Sequence, residues 1–219
     1  MAQKTHATGF RLGTKVMSTF SKTCWFANYN HYSQILQDDY KIRQLCKIQL
    51  RAISTQVGLI NIEIQRSECL VVLRFHIVRP RLMREYGALQ ITLNLIIRLI
   101  KNLRKAVTSC MKIEIVGHPN ATHKSLLVAD AIAKRLEKRI TLTKVNNKVT
   151  KALNANSVNN YKISLSGRLN GEEKARHLTL RKGQLPLQTI KADINYSSNR
   201  AKTTYGIIGI KVWIFSYNS

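Results

Sequence analysis

Between Ile208 and Phe215 the chain alternates without a break. Ile208, Ile210, Val212 and Ile214 fall on one side, and Lys211, Trp213 and Phe215 on the other. A period of two over that length fits a half-buried β-strand and no helix, because only a strand turns successive side chains to opposite faces. Such a strand needs neighbours and a layer to cover its apolar side. Pro186 to Tyr196 alternates in the same way: Ile190, Ala192, Ile194 and Tyr196 oppose Lys191, Asp193 and Asn195. Asn195 to Lys202 is polar and reads as a loop, so the two strands are expected to form a hairpin with a long connection. Gly206 and Gly209 mark either bulges or a close backbone approach.

Periodicity organises the rest of the chain. Tyr32 to about Ser54 reads as a helix carrying Ile35, Leu36, Ile42, Leu45 and Leu50. Gly58 to Arg66 and Cys69 to Ile77 alternate as strands. Gly87 to Leu103 carries Leu89, Leu93, Ile96, Ile100 and Leu103, the ladder of an amphipathic helix, and Met111 to Val116 is a further strand. The order is α-β-β-α-β, with room for a short helix near Leu82. After a junction at His118 to Asn120, helices are expected over Thr122 to Arg139 and Leu142 to Asn154. The second turns Leu142, Val145, Val149 and Leu153 inward and carries Lys144, Lys148 and Lys151 along one face. Strands follow at Val158 to Gly167 and Leu178 to Arg181. The fold class is α+β, with boundaries at 1–27 for a basic N-terminal arm, 28–117 for a first domain and 118–219 for a second.

Of 219 residues, 44% are hydrophobic, enough for a core, yet Lys and Arg number 36 against 11 acids, a net charge of +25. Self-repulsion of that size calls for a polyanionic partner, and nucleic acid is the usual one. A membrane surface is disfavoured, since no long amphipathic stretch has an aromatic apolar face. Cys24, Cys46, Cys69 and Cys110 are scattered without a CxxC pair, which disfavours a zinc or redox site and suits a reducing compartment. Cys69 and Cys110 read as small core residues. His118 and His123 lack a third metal ligand. The few acids form no catalytic cluster: Glu172-Glu173 reads as a surface pair at a helix start, Asp193 as a salt-bridge partner in a strand. No nucleotide or hydrolase motif occurs. The expectation is therefore no enzyme, no metal and no cofactor. Met1 to Gly13 has no apolar h-region, so no leader is expected to be removed.

Several motifs now combine. Ser166-Gly-Arg-Leu-Asn-Gly171, Ala175-Arg176, Pro186 to Tyr196 and Thr203 to Phe215 occur in this order and spacing, with Gln3 to His6, Gly9 to Gly13, Ser21 to Ala27 and Asp38-Asp39 with Ile42-Arg43 before them. In these residues the chain resembles the small-subunit ribosomal protein S-three family, bacterial and organellar type, over nearly its full length. The resemblance implies a type-two KH domain (about 43–116) followed by a C-terminal α+β domain with two helices packed on a mostly antiparallel sheet. It implies a structural protein in the head of the small subunit, bound to small-subunit rRNA, helping to form the channel through which mRNA enters. Neighbouring ribosomal proteins, including those numbered ten and fourteen, are the implied protein partners. Ile, Asn and Lys enrichment points to an AT-rich gene encoded in an organelle. The chloroplast stroma is the first choice, with a bacterial cytoplasm or a mitochondrion as alternatives. The rival function is a stand-alone KH-type RNA-binding regulator or RNA chaperone.

Candidate rRNA contacts are Lys4, Arg11, Lys22, Arg79, Arg81, Arg84, Gly87, Arg168, Arg176 and Lys211. A KH loop needs two glycines for close backbone contact with phosphates. Here Arg84-Glu85-Tyr86-Gly87 keeps only the last, so the loop either binds through Arg81 and Arg84 or serves as a structural wedge. Lys144, Lys148 and Lys151 are either the mRNA contact that the resemblance implies or a solvated face. Thr143 and Asn147 replace residues that are usually basic in bacterial relatives. Trp25 and Phe26 either stack on bases or pin the arm to its own domain. Arg168 either joins backbone amides in holding a phosphate or is a solvated turn residue.

Overall fold

The structure is a computed structural model, and it describes residues 5–12, 23–24, 26–50, 58–67, 70–80, 110–118 and 124–215. In chain order the described elements are α1 (Ala7–Arg11), β1 (Thr23–Cys24), α2 (Tyr29–Leu50), β2 (Leu59–Arg66), β3 (Leu70–Ile77), β4 (Cys110–Gly117), α3 (Ser125–Glu137), α4 (Leu142–Ala155), β5 (Tyr161–Gly167), β6 (Arg176–Lys182), β7 (Ile194–Thr203) and β8 (Gly206–Phe215). They form an α+β protein with two compact units, Ser21–Ala121 and Thr122–Ser219, the second including Met1–Phe20.

The first unit holds a sheet in the order β1-β2-β3-β4, with β2 and β3 antiparallel and β3 and β4 parallel. Alternation in β3 buries Val71, Leu73, Phe75 and Ile77, and they join Ile62 and Ile64 of β2 with Ile42 and Cys46 of α2 in one core. The Asp39 and Arg43 motif fixes α2 to the sheet. Asp39 pairs with Arg66 of β2, and Arg43 donates to the Ile62 carbonyl at 2.5 Å. Burial pushes the Cys46 thiol up to about 12, so it serves as a small apolar group. The α-β-β order and the final strand are consistent with the expected KH domain. The expected helix over Gly87 to Leu103, the KH loop and the short helix near Leu82 lie outside the described residues, as does Cys69.

The second unit holds an antiparallel sheet in the order β6-β5-β8-β7. Its inward residues, among them Tyr161, Ile163 and Leu165 of β5 and Ile208, Ile210, Val212 and Ile214 of β8, pack against α3 and α4. α3 contributes Val128, Ala129, Ile132, Ala133 and Leu136, and α4 contributes Leu142, Val145, Val149 and Leu153. Two helices on one face of an antiparallel sheet is the architecture expected of this half.

Two expectations are corrected here. The polar run Asn195 to Lys202 is not a loop but most of β7, and the turn lies at Thr204-Tyr205 between β7 and β8. Gly206 occupies φ +127°, which a side chain rarely adopts. Conversely, Pro186 to Asp193 is not strand, and Ile190 is 48% exposed. The carbonyls of this segment find a different partner. Arg11 of α1 donates to the carbonyls of Leu187 at 2.7 Å, Thr189 at 3.0 Å and Pro186 at 3.4 Å. A guanidinium with its fork of donors substitutes for a ladder strand. Residues 5–12 therefore do not stand apart as an arm. His6 caps α1 by accepting from the Gly9 amide, and Ala7 packs with Ala192, Ile194 and Trp213.

Candidate nucleic-acid interface

On α4, burial of Leu142, Val145, Val149 and Leu153 fixes the helix rotation. Lys144, Lys148 and Lys151 consequently face solvent, as the spacing predicts. No ion pair among the described residues involves them. Each is an exposed ammonium on a four-carbon stem, suited to adaptable phosphate contact rather than to a fixed fork.

The Ser166 to Gly171 turn packs against the tip of the β7–β8 hairpin. Gly167 sits at φ +137°, where an added Cβ would lie 2.9 Å from the Ile207 carbonyl oxygen, so glycine is required there. Gly171 faces the Tyr205 ring, and Asn170 takes a left-handed conformation. Arg168 is exposed. Its Nε donates to the Glu172 carbonyl at 2.9 Å, and its guanidinium lies 5.9 Å from the Tyr205 ring centroid. Held this way, it presents its remaining donors outward from a fixed position. Arg176 pairs with Glu172, which begins no helix: a 3-10 turn, Leu169–Gly171, precedes it.

The outward face of the second sheet runs in rows across the strands. One row is Arg181, Lys162, Trp213 and Tyr196; the next is Thr179, Ser164, Lys211 and Ser198; the next is His177, Ser166, Gly209 and Arg200. Lys202 follows beside Ile207. Lys211 thus stands near the centre of a face that also carries Lys162, Arg181, Arg200 and Lys202. The sequence alone singles out only Lys211, because Arg200 and Lys202 sit in a polar run without apolar alternation and the register that gathers the others is not local. The signal was present as the outward half of each strand's alternation.

The first sheet's outward face differs. Arg74 stands between Glu63 on β2 and Glu114 on β4, at 3.8 Å and 2.7 Å, and Lys112 reaches Glu114 at 2.9 Å. Arg74 first, and then Lys112, holds the Glu114 carboxyl below the usual carboxylate range. His76 lies 3.2 Å from Glu63 and 2.9 Å from His118, with the two rings stacked. Among the described residues no group of His, Cys, Asp or Glu is arranged to hold a metal ion, and no helix is long and apolar enough to cross a membrane.

The remaining expected contacts divide three ways. Arg11 is a correction: only 1% exposed, it spends its guanidinium on the Ala7 carbonyl and the 186–189 carbonyls and has little surface left to offer a phosphate. Arg79 is exposed just beyond β3, before Pro80, whose ring abuts Gly117. Lys4, Lys22, Trp25, Arg81, Arg84 and Gly87 lie outside the described residues. Phe26 is exposed, beside Tyr29 and Tyr32.

Fold, charge and surface together define a basic, two-unit α+β protein built to meet nucleic acid. Its residues 132–214 match the family model "Ribosomal protein S3, C-terminal domain". The chain is 38% identical over 216 residues to small ribosomal subunit protein uS3c of Emiliania huxleyi, covering 99% of this chain and 98% of that one. It is 37% identical over 217 residues to small ribosomal subunit protein uS3 of Synechocystis, covering 98% and 85%. It is 34% identical over 221 residues to uS3c of Cyanophora paradoxa, covering 98% and 94%. The chain belongs to the small ribosomal subunit protein uS3 family, a family of structural, non-enzymatic proteins.

Proposed function

We propose that this chain is a structural constituent of the small ribosomal subunit of a chloroplast, where it binds small-subunit rRNA and contacts mRNA as it enters. Family membership over nearly the whole length carries the ribosomal role, and the uS3c relatives carry the chloroplast. The exposed lysine row of α4 supports the mRNA contact: Lys144, Lys148 and Lys151 present three ammonium groups along one side of a rigid helix. Sequence-independent phosphate attraction suits a surface past which any message must move. Arg79, Arg168, Arg176 and Lys211 are proposed rRNA contacts, together with Lys4, Lys22, Arg81, Arg84 and Gly87. Ribosomal proteins ten and fourteen are the proposed protein neighbours.

Sedimentation of a chloroplast lysate in low and then high salt tests the assignment. The protein is expected to stay with the small subunit through the high-salt wash. A free pool that meets RNA only at low salt would remove it. Lys144→Glu, Lys148→Glu and Lys151→Glu together are expected to slow initiation on structured messages while subunits still assemble. Equal loss of assembly would make the row rRNA-binding instead.

A further inference from the structure

We propose that the open part of the outward face of the β6-β5-β8-β7 sheet is a docking surface for the backbone of helical RNA. This inference rests on the reading of the chain as an rRNA-binding ribosomal protein and assigns that role to a face. Lys162, Arg181, Arg200, Lys202 and Lys211 point the same way by register. None of the four strands contains an acid. Glu137 of α3 reaches the edge, where its carboxylate accepts from the Lys202 backbone amide at 3.4 Å. Strands lie about 4.8 Å apart and alternate residues about 6.7 Å apart along a strand, so the cations span a patch on the order of 15 Å. The open residues between them are short, Ser166, Ser198, Thr179 and Gly209, while Ser164 is buried beneath His177 and Ile207 is exposed at the rim beside Lys202. A smooth floor of hydroxyls and one glycine lets a sugar–phosphate backbone come close, with hydroxyl donors for phosphate and 2′-OH groups.

The rows of the face offer no exposed aromatic platform for unpaired bases, and the exposed Tyr205 stands on the turn beyond them, beside Arg168. Trp213 is 8% exposed, packed with Ala7 and Ile194 and with the Lys162 ammonium 5.6 Å from its ring. Tyr196 meets the His6 ring edge-on at 4.7 Å. Single strands are held largely by stacking on aromatic side chains, whereas duplex RNA is read through phosphates and 2′-OH groups. α1 therefore closes the aromatic end of the sheet and leaves the cationic end open. His177 also keeps within the floor, 2.8 Å from Ser164 Oγ and 3.4 Å from Thr179 Oγ1.

The test measures binding of the full chain to a blunt RNA duplex of about 20 base pairs and to single-stranded oligo(A) of equal length, across a salt series. Arg181→Gln, Arg200→Gln and Lys211→Gln together are expected to weaken duplex binding by at least ~10-fold near 100 mM salt. They should lower the log–log salt slope by about 2 to 3, as loss of that many phosphate contacts requires. Oligo(A) binding should change less than ~3-fold. The charge-keeping set Arg181→Lys, Arg200→Lys and Lys211→Arg should hold duplex affinity within ~2-fold, separating charge from packing. Unchanged duplex affinity and slope in the Gln variant, or an equal loss on both probes, would overturn the proposal. The α4 variant Lys144→Gln, Lys148→Gln and Lys151→Gln, run alongside, should retain the duplex. A wild-type chain that binds neither probe would instead remove the RNA-binding reading beneath.

Discussion

The described residues form two four-stranded sheets, each covered on one face by helix, and their open faces are opposites. On the first, each described strand cation has an acid at hand: Arg74 lies between Glu63 and Glu114, and Lys112 meets Glu114. On the second, the strands hold cations and hydroxyls and no acid. The net charge of +25 is thus not spread evenly. A face with an acid beside each cation gains little from a polyanion, while one whose own strands carry no acid gains more. The difference assigns the second sheet to RNA and leaves the first to interactions that do not depend on phosphate.

Substitutions can break that comparison. The largest stability effect is expected away from both charged faces. Arg11→Met removes the donor to three part-buried carbonyls of the 186–189 segment, and hydrogen bonds from a charged group contribute about 1.5–3 kcal/mol. Amide exchange should show the loss, about 2–3 kcal/mol, in the second unit only. An effect confined to the first unit would deny that α1 belongs to the second. Arg74→Leu should destabilise the first unit only slightly, because the pairs are partly exposed and screened. Added salt should narrow the gap between that variant and the wild type. If salt leaves it unchanged, packing rather than charge holds the row together.

The smallest effect is a pH response. The Glu114 carboxyl is held low by Arg74 and Lys112, so its contribution is present above the ordinary carboxylate range and fades as pH falls through the lowered value. Acid titration followed by amide exchange should therefore loosen β3 and β4, and Glu114→Gln should flatten that response. An identical acid response with Gln in place would locate it elsewhere.

Much of the fold was legible because the apolar alternation was local. β3, β8, α3 and α4 came out close to their observed bounds, and so did the rotation of α4 that exposes Lys144, Lys148 and Lys151. β7 was not legible, because its inward positions other than Ala201 are polar. Ser197 is buried, and Asn199 donates to Asp130 of α3 at 2.5 Å, so no apolar beat marks the strand. Pro186 to Asp193 misled in the opposite sense. Its alternation is real, but its carbonyls are taken by an arginine about 175 residues earlier in the chain, which no window can detect. The same non-local register hid the cationic face: Lys162, Arg181 and Arg200 come from three strands and meet only across the sheet. Arg11 looked like a phosphate contact because a basic residue near a chain end gives no local sign of burial.

Lysine reactivity compares the two faces in one experiment. An amine-modifying reagent is applied to the free chain and to purified small subunits, and each lysine is quantified by mass spectrometry. Lys202 and Lys211 of the second sheet should be several-fold less reactive in the subunit, whereas the ratio for Lys112 on the first sheet should stay near one. Lys202 and Lys211 reacting equally in both states would contradict the account, because the face assigned to RNA would then stand open in the assembled particle.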